Sequence, residues 1–489
     1  MAQLDEKSVV ESVNKDLFIG GKWRPAASGR RFQVEDPSTR EVLAEMADAT
    51  PSDSIDALAA ADAAQSGWAR TPARTRGEII RRAFELMVSK SEELALLMTL
   101  EMGKPIAESR GEVAYAAEFF RWFAEEAVRI SGDYYFSPDG TTRVMTVKQP
   151  VGPSYLITPW NFPLAMGTRK IGPALAAGCT VIVKPAELTP LCMAALMTIL
   201  EEAGLPAGVV NMISTTDPAG VTQPLLADRR LRKLSFTGST EVGRLLMSQA
   251  SHGLLRLSME LGGNAPLIVF EDADLDKAVS GAVFAKMRNM GEACTSANRI
   301  FVQRSILPEF SARLAETMAG LTVGRGTEAD VQVGPLIEQA AVDKVSNLLD
   351  DAQSRGARIV TGGKSLSIGG YFYEPTVVVD VDPSWRIANE EIFGPIASVY
   401  GFEDEDQVIK LANNTEYGLV AYVFTENLNR ALRVTEGLET GMIGLNQGLV
   451  SNAAAPFGGV KSSGFGREGG FEGINEFLYL KYVAINHRG

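Results

Sequence analysis

Histidine is nearly missing from this chain: only His252 and His487 occur among 489 residues. Cysteine is almost as scarce, limited to Cys179, Cys192 and Cys294. With so few soft ligands a transition-metal site is not expected, and no metal is assigned. Three cysteines cannot build a disulfide framework, and their odd number suits a reducing compartment. Nowhere does an apolar run approach the roughly 18–20 residues that a membrane span requires. The first residues, "MAQLDEKSVVESVNK", are acidic and lack an apolar stretch, so they read as neither signal nor transit peptide. A cytoplasmic protein is the expectation. Basic clusters are also lacking, and 47 Lys and Arg against 60 Asp and Glu leave a formal charge of −13. That balance argues against nucleic acid and anionic membrane as partners. Repeats and low-complexity linkers are absent as well.

What remains is an ordinary globular composition in a chain too long for one core. At roughly 100–200 residues per domain, two to four domains are expected. From about Ser52 to Ile130, apolar residues recur at helical spacing in "IDALAAADAAQSGW", "RGEIIRRAFELMVSKSEELALLMTLEMG" and "GEVAYAAEFFRWFAEEAVRI". "GDYYFSPDGTTRVMTVKQP" then alternates around Asp-Gly, as a hairpin does. A lone hairpin is marginal in water, so this one is expected to pack against something, and the C-terminal "EFLYLKYVAINH" is a candidate strand for it. Beyond Gly152, short strand-like runs ("PSYLIT", "TVIVK", "GVVNMIS", "KLSFTG", "RLSMEL") alternate with helical ones, which implies crossovers and a parallel sheet. A second such pattern runs from Ala265 to about Asn446. Two α/β domains with a cleft between them are therefore expected.

Ligands of open α/β sheets bind beyond the carboxyl ends of strands, and several polar residues fall there. Lys184 closes "TVIVK", and Asn161 follows "YLIT" between two prolines. "KLSFTGSTEVG" reads as a strand, then Gly238, then a helix opening at Ser239 and Thr240 whose free N–H groups suit a phosphate. Its spacing is not G-x-G-x-x-G, and a capped helix after a turn explains it equally well. Glu260 follows another strand-like run; alone, it would pass for a surface carboxylate. In "GEACTSANR" (291–299), Cys294 has no nearby histidine to activate it. Cys179 and Cys192 sit in apolar runs and read as buried packing residues.

Seven stretches carry a resemblance: "TPWNFP" (158–163), "VKPAE" (183–187), "FTGSTEVG" (236–243), "MELGG" (259–263), "GEACTSANR", "EEIFGP" (390–395) and "PFGGVKSSGFGRE" (456–468). In this order they resemble the NAD(P)-dependent aldehyde dehydrogenases, end to end. The resemblance implies a Rossmann-like cofactor domain (1–131 and 150–259) and a catalytic domain (260–446). A β oligomerisation arm (132–149 and 471–489) would complete the fold, with 447–470 returning across the active-site cleft. It further implies Cys294 as nucleophile, Asn161 with the Cys294 N–H as oxyanion hole, and Glu260 as general base. A cationic nicotinamide beside the thiol would favour thiolate, so no histidine is needed. Thr158, Pro159, Trp160, Lys184, Glu187, Gly238, Ser239, Glu391 and Phe393 are the implied cofactor contacts. NAD is expected over NADP, because a carboxylate at Glu187 accepts ribose hydroxyls and repels a 2′-phosphate. A homo-oligomer, dimer or tetramer, is implied too.

Arg169 lies eight residues after Asn161, and Arg288 six before Cys294. By position alone both could be surface residues. Their surroundings, with Ser451 in "NQGLVSNAAAPFGG", look closest to the succinate-semialdehyde dehydrogenases, a subgroup that binds a substrate carboxylate with two arginines and a serine at matching positions. Succinate semialdehyde is thus the first expectation. Glutarate semialdehyde follows closely, since one methylene is worth only about 1–3 kcal/mol in discrimination. A lactaldehyde, glycolaldehyde or broad aliphatic enzyme would not need the arginines. A CoA-acylating relative would typically lack Glu260, and a structural protein would have little reason to keep this set. Many members of the subgroup carry a second cysteine two places after the nucleophile; here Ser296 stands there, so no disulfide switch is expected.

Overall fold

The computed structural model describes residues 4–486; His487 and the last residues given to the arm lie outside them. Two open sheets organise the chain. In the first, Val210–Met212, Val181–Lys184, Ser154–Ile157, Lys233–Thr237 and Arg256–Glu260 run parallel in that spatial order. Its middle strands are buried at every position, the pattern expected where helices cover both faces. On one face pack the helices Ala73–Ser89, Ile106–Glu126, Ala165–Ala177 and Leu191–Glu202. On the other lie Pro51–Arg70, Pro218–Ala227 and Thr240–Ala250. The helical stretch expected between Ser52 and Ile130 resolves into four helices, the first opened by a capping box between Thr50 and Asp53. Two antiparallel edges were not foreseen: Leu17–Ile19 with Lys22–Arg24 on one side, and Gly464–Phe465 on the other. Runs of two or three residues carry no readable period.

The second sheet has seven strands in the order Arg358–Thr361, Thr376–Val379, Ile396–Phe402, Ala297–Gln303, Ala265–Val269, Val420–Phe424 and Met442–Leu445. All neighbours but the first pair are parallel. It encloses its own apolar core around Leu267, Phe301, Val345 and Val399. The α/β architecture read from strand-helix alternation is therefore what the chain adopts. Tyr134–Phe136, Thr142–Pro150 and Leu478–Asn486 make a separate antiparallel sheet, in which the C-terminal strand pairs with the hairpin from Leu478↔Pro150 to Asn486↔Thr142. Among the described residues no helix is long and apolar enough to cross a membrane, and no group of His, Cys, Asp and Glu could hold a metal ion.

Register decides where the polar residues land. Ile157 pairs with Lys184 and Thr237 with Glu260, so Thr158, Lys184, Gly238 and Glu260 share the carboxyl edge of the first sheet. Facing them is the amino edge of the second sheet. Gly263, Cys294 and Gly394 each lie two or three residues ahead of a strand there, and two of those approaches are close enough to need glycine. A Cβ on Gly263 would meet the Cys294 carbonyl oxygen at 2.4 Å, and one on Gly291 would meet that of Gly394 at 2.2 Å.

Candidate active site

Between these two edges lies a cavity of about 240 Å³. At one end Asn161, Arg169, Arg288, Cys294 and Ser451 line it, with Tyr115, Phe162, Met166 and Phe457 as apolar walls. At the other end stand Pro159, Trp160, Gly238, Ser239, Glu391 and Phe393, joined by Lys344. Residues as far apart in sequence as Tyr115 and Phe457 thus converge on one volume. Thr158, Lys184, Glu187 and Glu260 are not part of its wall. They sit behind it, along the carboxyl edge of the first sheet.

Cys294 ends a loop with an unusual backbone. The helix Leu275–Met287 stops, and Asn289 (φ 56°), Met290 (φ 55°) and Gly291 (φ 78°) then all take left-handed conformations. This turn aims the Cys294 side chain, partly exposed, at the cavity. Burial pushes the thiol up to about 12; Arg169 opposes that rise, while Glu391 and Glu260 add to it. The thiol is therefore protonated near neutrality until a base or a cation acts on it. Cys179 and Cys192 are fully buried elsewhere, one donating to the Phe477 carbonyl and the other beside Glu101. The Ser296 hydroxyl, two places after the nucleophile, donates to the Lys286 carbonyl at 3.3 Å.

Asn161 is held rigidly. Its carbonyl accepts from the Lys104 ammonium (2.8 Å) and from Asn289 Nδ2 (3.1 Å), and its own Nδ2 donates one proton to the Glu292 carbonyl (2.9 Å). An amide nitrogen has two protons, so the second is left for a ligand. Lys104 is in turn fixed by a fully buried ion pair with Glu112 (2.6 Å). The other Glu112 oxygen accepts from the Leu164 and Ala165 N–H groups ahead of the helix Ala165–Ala177.

Glu260 is a buried carboxylate whose two oxygens accept no hydrogen bond. Burial first, and the negative Glu468 second, hold its carboxyl well above the ordinary range; Arg169 and Lys170 pull the other way. Glu468 itself ion-pairs with both Arg169 and Lys170, and their combined charge outweighs its burial and keeps it low. A buried group of raised proton affinity, close enough for its charge to act on the Cys294 thiol, has the properties of a general base. Arg169 lies with its guanidinium 4.1 Å from the Phe457 ring centre, and its Nη1 is buried without a partner. Arg288 Nη1 donates to Ser451 Oγ at 3.0 Å and stacks over Phe162 at 4.9 Å.

A cysteine, an amide donor and a buried carboxylate around one cavity are compatible with the oxidation of a carbonyl compound, and the whole-chain comparisons point the same way. Residues 23–483 match the model of the aldehyde dehydrogenase family. The chain belongs to that family. It is 58% identical over 444 residues to a succinate-semialdehyde dehydrogenase of Paenarthrobacter nicotinovorans, covering 91% of this chain and 99% of the relative. It is 48% identical over 473 residues to a glutarate-semialdehyde dehydrogenase of Pseudomonas putida, covering 96% and 98%. A crystal structure of an NADP-dependent enzyme of Escherichia coli superposes with a TM-score of 0.97 at 45% identity, covering 99% of this chain and all of that one. The resemblance read from seven motifs is thereby established.

Aldehyde dehydrogenases use NAD(P), and the cleft fits that group. Lys184 is a buried ammonium with one good acceptor, the Pro185 carbonyl at 3.0 Å, and the Glu187 carboxylate at 3.7 Å. The Thr158 and Thr237 hydroxyls are buried without partners. The helix Thr240–Ala250, capped by Ser239, opens at the cavity end that Gly238 lines. Opposite, Glu391 accepts from the Gly263 N–H at 3.0 Å, and Phe393 stands edge-on to Trp160 with ring centres 5.5 Å apart. Sequence reasoning missed Lys344, Lys170, Glu468 and Tyr115. Lys344, Lys170 and Tyr115 are helix positions that look like any other in the sequence, and Glu468 follows a strand of only two residues that has no readable period. The strand-end rule also failed for Cys294 and Glu391, which precede their strands.

Proposed function

We propose that this aldehyde dehydrogenase oxidises succinate semialdehyde to succinate, with NAD preferred to NADP. The observation that carries the substrate is the pairing of Arg288 with Ser451, beside Arg169, on the wall of the cavity that holds Cys294. A guanidinium with a neighbouring hydroxyl suits a carboxylate at a fixed distance from the thiol. Glutarate semialdehyde is the second reading, supported by the Pseudomonas putida relative. The cofactor preference rests on Glu187 alone, since the related Escherichia coli structure is described as NADP-dependent.

In the reaction, Cys294 loses its proton to Glu260 and its sulfur bonds to the aldehyde carbon. The resulting alkoxide takes hydrogen bonds from the free Asn161 Nδ2 proton and the Cys294 N–H. NAD(P), which Lys184, Glu187, Glu391 and Phe393 would hold, would supply the hydride acceptor that lets the Cys294 adduct become a thioester. Once Glu260 has passed the thiol proton on to solvent, its carboxylate removes a proton from water, the hydroxide attacks the thioester, and the C–S bond breaks to release the acid and the thiolate. Hydrolysis by Glu260 is the reason to expect no acyl-CoA when CoA is supplied.

We assign 1–131 and 150–259 to cofactor binding, 260–446 to catalysis, 132–149 with 471–489 to assembly of a dimer or tetramer, and 447–470 to closing the cleft. Arg288→Leu is the cleaner test of the substrate, because Arg169 also neutralises Glu468. Its KM for succinate semialdehyde should rise at least tenfold more than its KM for hexanal, about 1.4 kcal/mol of lost carboxylate binding. Equal effects on the two aldehydes would reject the carboxylate pocket.

A further inference from the structure

Tyr115 lies on the helix Ile106–Glu126, and nothing in the local sequence distinguishes it. Its ring stands edge-on to Phe119, centres 4.8 Å apart, which restrains the direction of the phenol. The hydroxyl is buried and makes no hydrogen bond of good geometry among the described residues. Buried hydroxyls are ordinarily paired, so an orphan at a cavity wall points to a ligand.

The surroundings say which ligand. A second cavity of about 510 Å³ continues outward from the active-site cavity, and Tyr115, Phe162, Arg288 and Ser451 line both. Its outer part carries Phe284 and Leu449, both exposed to solvent. The four shared residues therefore form a throat. Arg288 and Ser451 are already joined across it at 3.0 Å. An aldehyde that enters by its reactive end leaves its far end at this throat, where every polar group is a donor or can act as one.

We propose that Tyr115 is a further specificity-determining residue, whose O–H donates to the distal carboxylate of the substrate beside Arg288 and Ser451. The inference rests on the carboxylate-bearing substrate proposed above and names an additional contact for it. Burial raises the phenol's proton affinity and outweighs the lowering effect of Arg169 and Arg288, so the group is a donor throughout the physiological range. Amino-aldehydes, cationic at their far end, are rejected by the same arrangement.

The test compares Tyr115→Phe with Arg288→Leu and the unchanged enzyme, using succinate semialdehyde and hexanal with NAD. For Tyr115→Phe the ratio of kcat/KM between the two aldehydes should fall roughly ten- to a hundredfold, the weight of one hydrogen bond to a charged group. The fall should lie in KM for succinate semialdehyde rather than kcat, with little drop in Tm, because the lost hydroxyl makes no hydrogen bond of good geometry to the protein. An unchanged ratio in Tyr115→Phe, beside a lowered one in Arg288→Leu, would overturn the Tyr115 contact alone. An unchanged ratio in both would overturn the carboxylate reading with it. Equal losses for both aldehydes with a lowered Tm would make Tyr115 a packing residue and end the proposal.

Discussion

At the carboxyl end of the strand Val181–Lys184, a buried ammonium and a half-exposed carboxylate face one cleft. Lys184 and Glu187 stand 3.7 Å apart. A second acid, Glu338, is close enough that, after burial, the charge of Glu187 raises its proton affinity. A ribose diol can donate to such carboxylates, whereas a 2′-phosphate meets like charge in partly screened surroundings. Replacing Glu187 by Ser should therefore move the NADP-to-NAD ratio of kcat/KM upward by about tenfold, or 1.4 kcal/mol. A wild-type preference for NADP, or a ratio indifferent to Glu187→Ser, would show that another residue selects the cofactor. At this scale the sequence was informative wherever a polar residue ends a strand between Pro or Gly. Lys184, Asn161 and Gly238 were legible on that ground. Lys344, Lys170 and Glu468 were not, because each acts through a partner hundreds of residues away or across the cleft, and no spacing records that.

The element that presents Cys294 is a turn rather than a helix or strand. Asn289, Met290 and Gly291 are successive left-handed residues between the helix Leu275–Met287 and the strand Ala297–Gln303. The side chains of Asn289 and Asn161 both donate to the Glu292 carbonyl, and the Asn289 N–H donates to Glu108 at 2.6 Å. The turn thus sets the oxyanion donor and the thiol in one frame. Gly291 is indispensable on two counts: its φ of 78°, and the Gly394 carbonyl oxygen 2.2 Å from where a Cβ would stand. Gly291→Ala should cost at least about 1–3 kcal/mol in backbone strain alone, lowering both Tm and kcat. Gly320→Ala is the control. It has φ −80° and nothing nearer than 3.5 Å to an added Cβ, and should leave both values close to wild type. If the two variants behave alike, the turn does not hold the site. The period of the flanking helix and strand was readable in the sequence. The turn's handedness was not, since Asn and Gly tolerate positive φ but Met at positive φ is imposed by packing rather than by local preference.

Across the whole molecule one sheet lacks a core. In the arm, the strand Leu478–Asn486 buries only its first residue, although an antiparallel strand normally hides every second side chain. Tyr134, Phe136, Leu480 and Tyr482 are each more than half exposed. A three-stranded sheet with apolar side chains in solvent on this scale marks an interface. The hairpin and its C-terminal partner were legible from alternation and an Asp-Gly turn; what covers their apolar side chains was not, because no segment among the described residues packs on them. No residue of the arm lines the throat or the cavity that holds Cys294. If the arm makes the subunit contact proposed above, placing aspartate at both Leu480 and Tyr482 should give smaller species than wild type by sedimentation velocity. Each introduced charge would have to be desolvated against an apolar partner surface, at a cost of several kcal/mol per site. Identical sedimentation of variant and wild type would place the subunit contact elsewhere.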